Sequence, residues 1–272
     1  MSLSKRDFIV MSSSAILAFL SEPFLIEPNL ITVEKITIKS KELPESFNDY
    51  KIVQLSDLHL RSIGLREKIS IDLVRWIRPD LTVITGDLIN KREEEKFAID
   101  YVSELSKISP IVITFGNWDH WSGLNLKTFK KNLEVLGATV LVNECLNIKR
   151  KGHLISLMGV DYPYTGNDNL NTAIKGAISC FKILLAHSPQ IIGSADNLVN
   201  LILAGHTHGG QVILPLLGPI FVPLPKKYQR FLSGLYKVDN TLMYVNRGIG
   251  TSILPIRLFC PPELTLITLK SM

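Results

Sequence analysis

The sequence predicts an α/β domain, and three observations carry that expectation. Short, unbroken apolar runs rich in Val, Ile and Leu recur along the chain: "KIVQLSD", "DLTVITGD", "PIVITFGN", "FKILLAH" and "LVNLILAGH". Runs of this kind fit strands covered on both faces. Between several of them lie segments whose apolar residues recur at helical spacing. Finally, 272 residues with 46% hydrophobic and 20% charged content suffice for a sizeable core. We find no internal repeat, and no composition break after about residue 40 that would mark a second domain.

The first thirty residues stand apart. Lys5 and Arg6 precede an apolar stretch from Phe8 to Leu20, shorter than a full membrane span and shaped like an export signal. "SKRDFIV" is similar to a twin-arginine signal with Lys5 in place of the first arginine. No clean small-x-small cleavage site follows, so an uncleaved membrane anchor and a removed signal are both open. The plainer alternative is an amphipathic surface helix or a tail. We therefore divide the chain into residues 1–30, signal or anchor, and 31–272, one globular domain.

The remaining elements follow in order. "LITVEKITIKS" alternates as an edge strand does, and "ELPESFNDY" reads as a loop. "LREKISIDLVRWI", "REEEKFAIDYVSELSK" and "LKTFKKNLEVLG" carry helical periodicity, the last closed by Gly137 as C-cap. "VLVNECLNIKRKGHLISLMGV" reads as antiparallel strands around a turn at Lys151-Gly152. The net charge of +5 and pI near 9.0 favour anionic partners such as phosphates or lipid headgroups. No long basic run is present, so nucleic acid is not expected. Cys145, Cys180 and Cys260 are scattered and odd in number, which argues against disulfides and thiolate zinc, and each reads as a small core residue.

The strand-like runs share one more property. They end in Asp57 and His59, in Asp87, in Asn117, in His187, and in His206 and His208. Ligands of open α/β sheets bind beyond the carboxyl ends of the strands. Singly each motif is weak: Asp57 could cap a helix, "GDL" could be a turn, and His187 could be a core histidine. Together, DxH, GD, GN, H and GHxH form an ordered set of metal-ligand types. Mixed carboxylate, imidazole and amide donors suit Mn first, then Fe or Zn, over the all-oxygen shells of Mg and Ca.

That set resembles the calcineurin-like metallophosphoesterases across residues 30–272, and in particular a bacterial, exported or membrane-associated branch. The resemblance implies a four-layer α/β/β/α sandwich with two divalent metal ions at one end. It implies that Asp57, His59 and His208 hold one metal, that Asn117, His187 and His206 hold the other, and that Asp87 bridges them. A hydroxide activated between two such metals would attack phosphorus in line. Gly205, Gly209 and Gly210 would let the backbone turn sharply there.

One position departs from the family, which reads "GNHD" or "GNHE" where this chain reads "GNWDH". Trp118 has an indole N–H and no titrating proton. Three readings stay open. The metals suffice for an activated ester; or His120 replaces the missing acid, if an extended loop turns it inward; or the protein binds phosphoesters without turnover, as a scaffold. Asp119, which would orient the missing histidine, otherwise reads as a surface cap. Arg247 and Arg257 lie in the family's C-terminal pattern and either bind phosphate or pair with an acid. The segment from Val212 to Tyr236 is apolar, then basic at Lys226, Lys227 and Arg230. It reads as a packed loop or as a membrane-facing flap. The expected substrate is a phosphodiester or pyrophosphate-linked small molecule or lipid. The UDP-2,3-diacylglucosamine cleaved in lipid A synthesis is the specific lipid version.

Overall fold

Neighbouring residues of the central strands point into different cores. Ile52, Val83 and Val112 join one buried cluster, whereas Val53, Ile84 and Ile113 join another. Such strands must be covered on both faces, which is why their sequences run apolar without alternating. The computed structural model of the chain describes residues 4–7, 11, 13 and 21–272. Most of the apolar stretch read as an export signal lies outside the described residues. Among the described residues no helix is long and apolar enough to cross a membrane.

Two six-stranded sheets are stacked. The first contains β1 (Thr32–Ser40), β2 (Lys51–Leu55), β3 (Leu81–Thr85), β4 (Ile111–Thr114), β5 (Ala138–Val140) and β14 (Glu263–Ser271), in the order β1-β14-β2-β3-β4-β5. The second contains β6 (Glu144–Arg150), β7 (His153–Gly159), β8 (Lys182–Leu185), β9 (Leu201–Ala204), β12 (Gly234–Val238) and β13 (Thr241–Val245), in the order β12-β13-β9-β8-β7-β6. Helices α1 (Leu65–Ile77), α2 (Glu95–Ser106) and α4 (Leu126–Val135) cover the first sheet through Val74, Tyr101 and Phe129. The short helices α5 (Leu170–Lys175) and α6 (Ile192–Ala195) cover the second through Leu170 and Ile192. The inter-sheet core joins Ile52 and Val83 to Leu157, Ile183 and Leu203. This is the expected α/β/β/α sandwich.

The expected edge strand, the three long helices and the hairpin at Lys151-Gly152 are all present. Gly137, at φ 87°, ends α4 as expected, and its N–H donates to Glu134 O. Strands β12 to β14, two short strands after the last histidine and the short helices α5 and α6 went unread in the sequence. Strand β14 lies between β1 and β2, parallel to the first and antiparallel to the second. Strands β12 and β13 form a hairpin. Two-residue strands β10 (Ile213–Leu214) and β11 (Gly218–Pro219) form a small hairpin in the loop after the last histidine. Cys260 is buried as expected, Cys145 partly so, and Cys180 is exposed, which corrects its reading as a core residue.

Because β2, β3 and β4 are parallel to one another, as are β7, β8 and β9, their C-terminal ends align within each sheet. The loops that follow them meet at one end of the sandwich.

Candidate metal centre

Each loop leaves its strand abruptly. Asp57, His59, Asp87, His206 and His208 all have positive φ, between 45° and 72°. Left-handed backbone costs a non-glycine residue of order 1–3 kcal/mol and persists where the surroundings impose it. The strain here falls on five of the seven expected ligands. Gly86, at φ 89°, makes the turn into Asp87; a Cβ there would lie 2.6 Å from His187 Nδ1. At Gly205 a Cβ would collide with Ser56 Oγ and Asp57 Oδ2. Glycine is required at both places by close approach.

The loops bring two clusters together. Asp57, His59 and His208 form one, and Asp87, His187 and His206 form the other; all six side chains are buried. In the first, His59 Nε2 lies 3.1 Å from His208 Nε2, and His208 Nε2 lies 3.3 Å from Asp57 Oδ1. In the second, His187 Nε2 lies 3.1 Å from His206 Nδ1, 3.1 Å from Asn117 Oδ1 and 3.2 Å from Asp87 Oδ2. Asp87 Oδ2 is also 3.7 Å from His59 Nε2, so one carboxylate oxygen stands at the border of the two clusters. All seven expected ligands converge.

The outward nitrogens decide what the inward ones can do. His187 Nδ1 donates to Thr85 O at 2.8 Å, and His206 Nε2 donates to Pro223 O at 2.9 Å. A carbonyl only accepts, so each of these nitrogens carries a proton. His187 Nε2 and His206 Nδ1 are then left facing each other across 3.1 Å, beside a carboxylate and an amide oxygen. Such a set of lone pairs requires positive charge between them. His59 Nδ1 is similarly held by Asn90 Oδ1 at 2.7 Å, whereas buried His208 Nδ1 has no hydrogen-bond partner among the described residues. Outward hydrogen bonds of this kind are what orient metal-binding imidazoles. The donor set fits two divalent cations.

Electrostatics agree. Burial pushes the Asp57 carboxyl up to about 6, with the neighbouring Asp87 charge adding to it, against opposing contributions from His187 and hydrogen bonds. Burial lowers His59 to about 4 and His206 to about 3, so both are neutral imidazoles near pH 7. For His187 burial acts downward, but Asp87 and then Asp57 overcome it and raise the imidazole to about 9. Burial likewise opposes ionisation of Asp87, and His187 and His59 nevertheless hold it below the ordinary carboxylate value. The centre attracts positive charge.

Further residues support the ligands from behind. Asp119 is fully buried and accepts from the N–H groups of Gly116, Asp87 and Leu88 at 2.8–2.9 Å. It is no surface cap; it ties the β3 loop to the β4 loop. Burial, then the Asp87 charge, raises its carboxyl to about 7. Ser56 Oγ donates to Asp57 Oδ2 at 2.6 Å, and His206 N donates to the same carboxylate at 3.0 Å. The sequence reading missed Ser56 and Asn90. Their adjacency to "DLH" and "GDL" was the only available signal.

Three expected residues lie elsewhere. Asn117–Trp121 forms a helical turn, α3, and not an extended loop. His120 is therefore rotated roughly 200° from Trp118 about the helix axis. Its Nε2 lies 2.6 Å from Asp161 Oδ1, and it does not line the cavity over the clusters. Arg247 pairs through Nε with Glu263 at 2.7 Å and through Nη2 with Glu34 at 2.8 Å. Arg257 is fully buried and donates to the carbonyls of Gly250, Cys260, Arg247 and Gly248. Its fork staples the loop whose Ile249 and Gly250 N–H groups donate to Ser56 O and Asp57 O. Neither arginine lines the cavity: Arg247 follows the acid-pairing alternative, and Arg257, expected to bind phosphate or pair with an acid, holds backbone carbonyls instead.

The sequence profile of the calcineurin-like phosphoesterases matches residues 50–210, the stretch that contains all seven ligands. The chain is 36% identical over 254 residues to the uncharacterized metallophosphoesterase YkuE of Bacillus subtilis (strain 168), covering 90% of this chain and 88% of that one. It is 31% identical over 226 residues to phosphodiesterase YaeI of Escherichia coli (strain K12), covering 81% and 82%. Among solved structures, the sulfate thiohydrolase SoxB of Thermus thermophilus is similar in fold, with a TM-score of 0.50 and 12% identity over 84% of this chain and 57% of that chain. Profile, relatives and buried donor set agree that this chain belongs to the calcineurin-like phosphoesterases and is a metal-dependent hydrolase.

Proposed function

We propose that the protein is a two-metal phosphodiesterase that hydrolyses a phosphodiester or pyrophosphate-linked small molecule at a membrane surface. The observation that carries this reading is the place of Asp87. Its Oδ2 stands between the clusters, 3.2 Å from His187 Nε2 and 3.7 Å from His59 Nε2, and Asp87 lines the cavity floor with Asn117, His206 and His208. Bound there, two cations supply Lewis-acid stabilisation of a phosphoryl group and lower the pKa of water. Manganese matches the mixed donors best, with iron and zinc next. The name of the similar phosphodiesterase YaeI supports the diester class.

This chain's own residues set the rest. Asp57, His59 and His208 would hold one cation; His187, His206 and Asn117 would hold the other, with Asp87 shared. Trp118 backs onto the first cluster, its ring centroid 6.0 Å from that of His59. It lines the cavity where a general acid would stand, and an indole N–H can donate a hydrogen bond but releases no proton near neutral pH. The absence of such an acid favours a leaving group that needs no protonation, hence a pyrophosphate linkage or an activated diester. Apolar cavity walls favour a lipid-linked version, of which a nucleotide-linked diacylglucosamine is one.

Hydrolysis of bis-p-nitrophenyl phosphate with added Mn²⁺ tests the reading. Activity is expected to fall at least about 100-fold in Asp87→Ala. Trp118→His is expected to gain most on diesters with poor leaving groups, by about 10²-fold at the lower end of general-acid effects. Stoichiometric metal without turnover of either diester class would instead favour a binding protein on the same fold.

A further inference from the structure

The cavity over the clusters, about 610 Å³, is lined mostly by apolar side chains above its metal-ligand floor. Its rim is formed by Trp121, Ile220, Phe221, Ile253 and Leu254, which come from three separate segments. All five are exposed, from 56% at Leu254 to 70% at Ile253. Beside them, Leu216 and Leu217 occupy the turn of the β10–β11 hairpin, and both stand in solvent at 106% and 80% exposure. Contiguous apolar surface of this kind on a soluble domain marks an interaction site.

Two further observations identify what covers it. Lys226, Lys227 and Arg230 lie exposed just beyond Pro223, whose carbonyl accepts from His206 Nε2. The N-terminal segment is held by the stretch that follows the rim residues Ile253 and Leu254: Pro23 O accepts from Arg257 N at 2.9 Å, and Glu27 Oε2 accepts from Phe259 N at 2.9 Å. Phe24, Leu25 and Ile26 are exposed in this segment, a few residues beyond the apolar stretch from Phe8 to Leu20. Apolar side chains flanked by cations match a bilayer with anionic headgroups. A protruding leucine turn also suits fluid hydrocarbon better than a packed protein interface, which would need a complementary groove.

We infer that this rim docks on an anionic lipid bilayer, and that the cavity's apolar wall takes the hydrocarbon chain of a phosphoester drawn from that bilayer. The second half rests on the hydrolytic reading above; the docking itself does not. Docked this way, Leu216, Leu217 and Phe221 enter the acyl region, the lysines meet headgroup phosphates, and the phosphate of the substrate descends past Trp121 towards Asp87.

The test uses the full chain and vesicles of phosphatidylglycerol with brominated acyl chains, which quench tryptophan fluorescence on contact. The chain has three tryptophans, and Trp121 is the one exposed at the rim. We expect quenching that Trp121→Phe lowers at least about twofold, and that a Leu216→Asp, Leu217→Asp double variant largely removes. Both leucines are solvent-exposed, so the double variant leaves the core intact, and quenching of the unaltered chain stands without it. A chain that floats with vesicles while Trp121 stays unquenched would show tethering by the N-terminal segment alone, with the mouth facing water. That result overturns the inference, as does a dimer in solution that ignores vesicles. Hydrolysis of bis-p-nitrophenyl phosphate is followed in parallel. In the unaltered chain, quenching without hydrolysis strikes the hydrolytic reading and the substrate half of the inference and leaves docking standing; hydrolysis without quenching strikes docking alone.

Discussion

Asp119 touches no expected cation, yet the geometry of the centre leans on it. One oxygen accepts from Gly116 N and Asp87 N, the other from Leu88 N and, at 3.4 Å, Ile89 N. A carboxylate can accept on both sides; an amide cannot. In Asp119→Asn one side would present an NH₂ to backbone N–H groups, and the β3 loop that carries Asp87 would lose its clamp. We expect metal affinity to drop about 10–100-fold with the fold retained, measured by chelator competition alongside circular dichroism. Unchanged affinity would mean that the loop holds itself. Apart from Gly116, three residues earlier, the amides that Asp119 holds lie about thirty positions away, and no local spacing reveals them. The seven ligands were legible for the opposite reason: each follows its strand at once, and parallel strands bring such ends together. His120 failed the same logic locally, since its inward pointing required an extended loop and the chain makes a helical turn there.

At the scale of elements, strands covered on both faces announced themselves by unbroken apolar runs, whereas β14 did not. "ELTLITLKS" mixes threonine among its leucines, and its position between β1 and β2 is set by partners more than two hundred residues earlier. Burial nevertheless makes it a core strand. Ile267 is fully buried in the inter-sheet core, paired across from Ile36 on one side and Ile52 on the other. Removing its side chain beyond Cβ leaves a cavity between well-packed sheets that cannot collapse. Ile267→Ala is expected to cost about 2–5 kcal/mol in urea unfolding, with a parallel loss of thermal stability. A cost below about 1 kcal/mol would indicate that β14 packs loosely. The same strand positions the site indirectly. Glu263, at its start, holds Arg247 and donates its backbone N–H to Gly248 O, while Arg257 gathers the carbonyls of this loop against the Asp57 loop.

The whole molecule couples its stability to protons and cations through one buried centre. Neutral His59 and His206, lowered to about 4 and about 3, refuse protons that the unfolded chain accepts near its ordinary histidine value of about 6.5. Their contribution is present above pH ~6.5 and is lost as pH falls from there through about 4 for His59 and about 3 for His206. His187, raised to about 9, acts in the other direction: its contribution is full below pH ~6.5 and disappears as pH rises through about 9. Asp57 and Asp119, raised to about 6 and about 7, likewise lose their favourable protonation as pH rises through those values. The metal-free protein is thus squeezed from both sides, and on the alkaline side the missing ingredient is positive charge. Divalent cations supply it and need deprotonated ligands to do so. The gain in Tm on adding Mn²⁺ should therefore be large at pH 8 and shrink towards pH 5.5, where Asp57 also holds a proton and the proton on His187 is harder for a cation to displace. Differential scanning fluorimetry across that range, with and without chelator, reads the difference directly. A metal-induced shift that stays constant with pH would mean that the cations bind somewhere other than among these histidines and carboxylates.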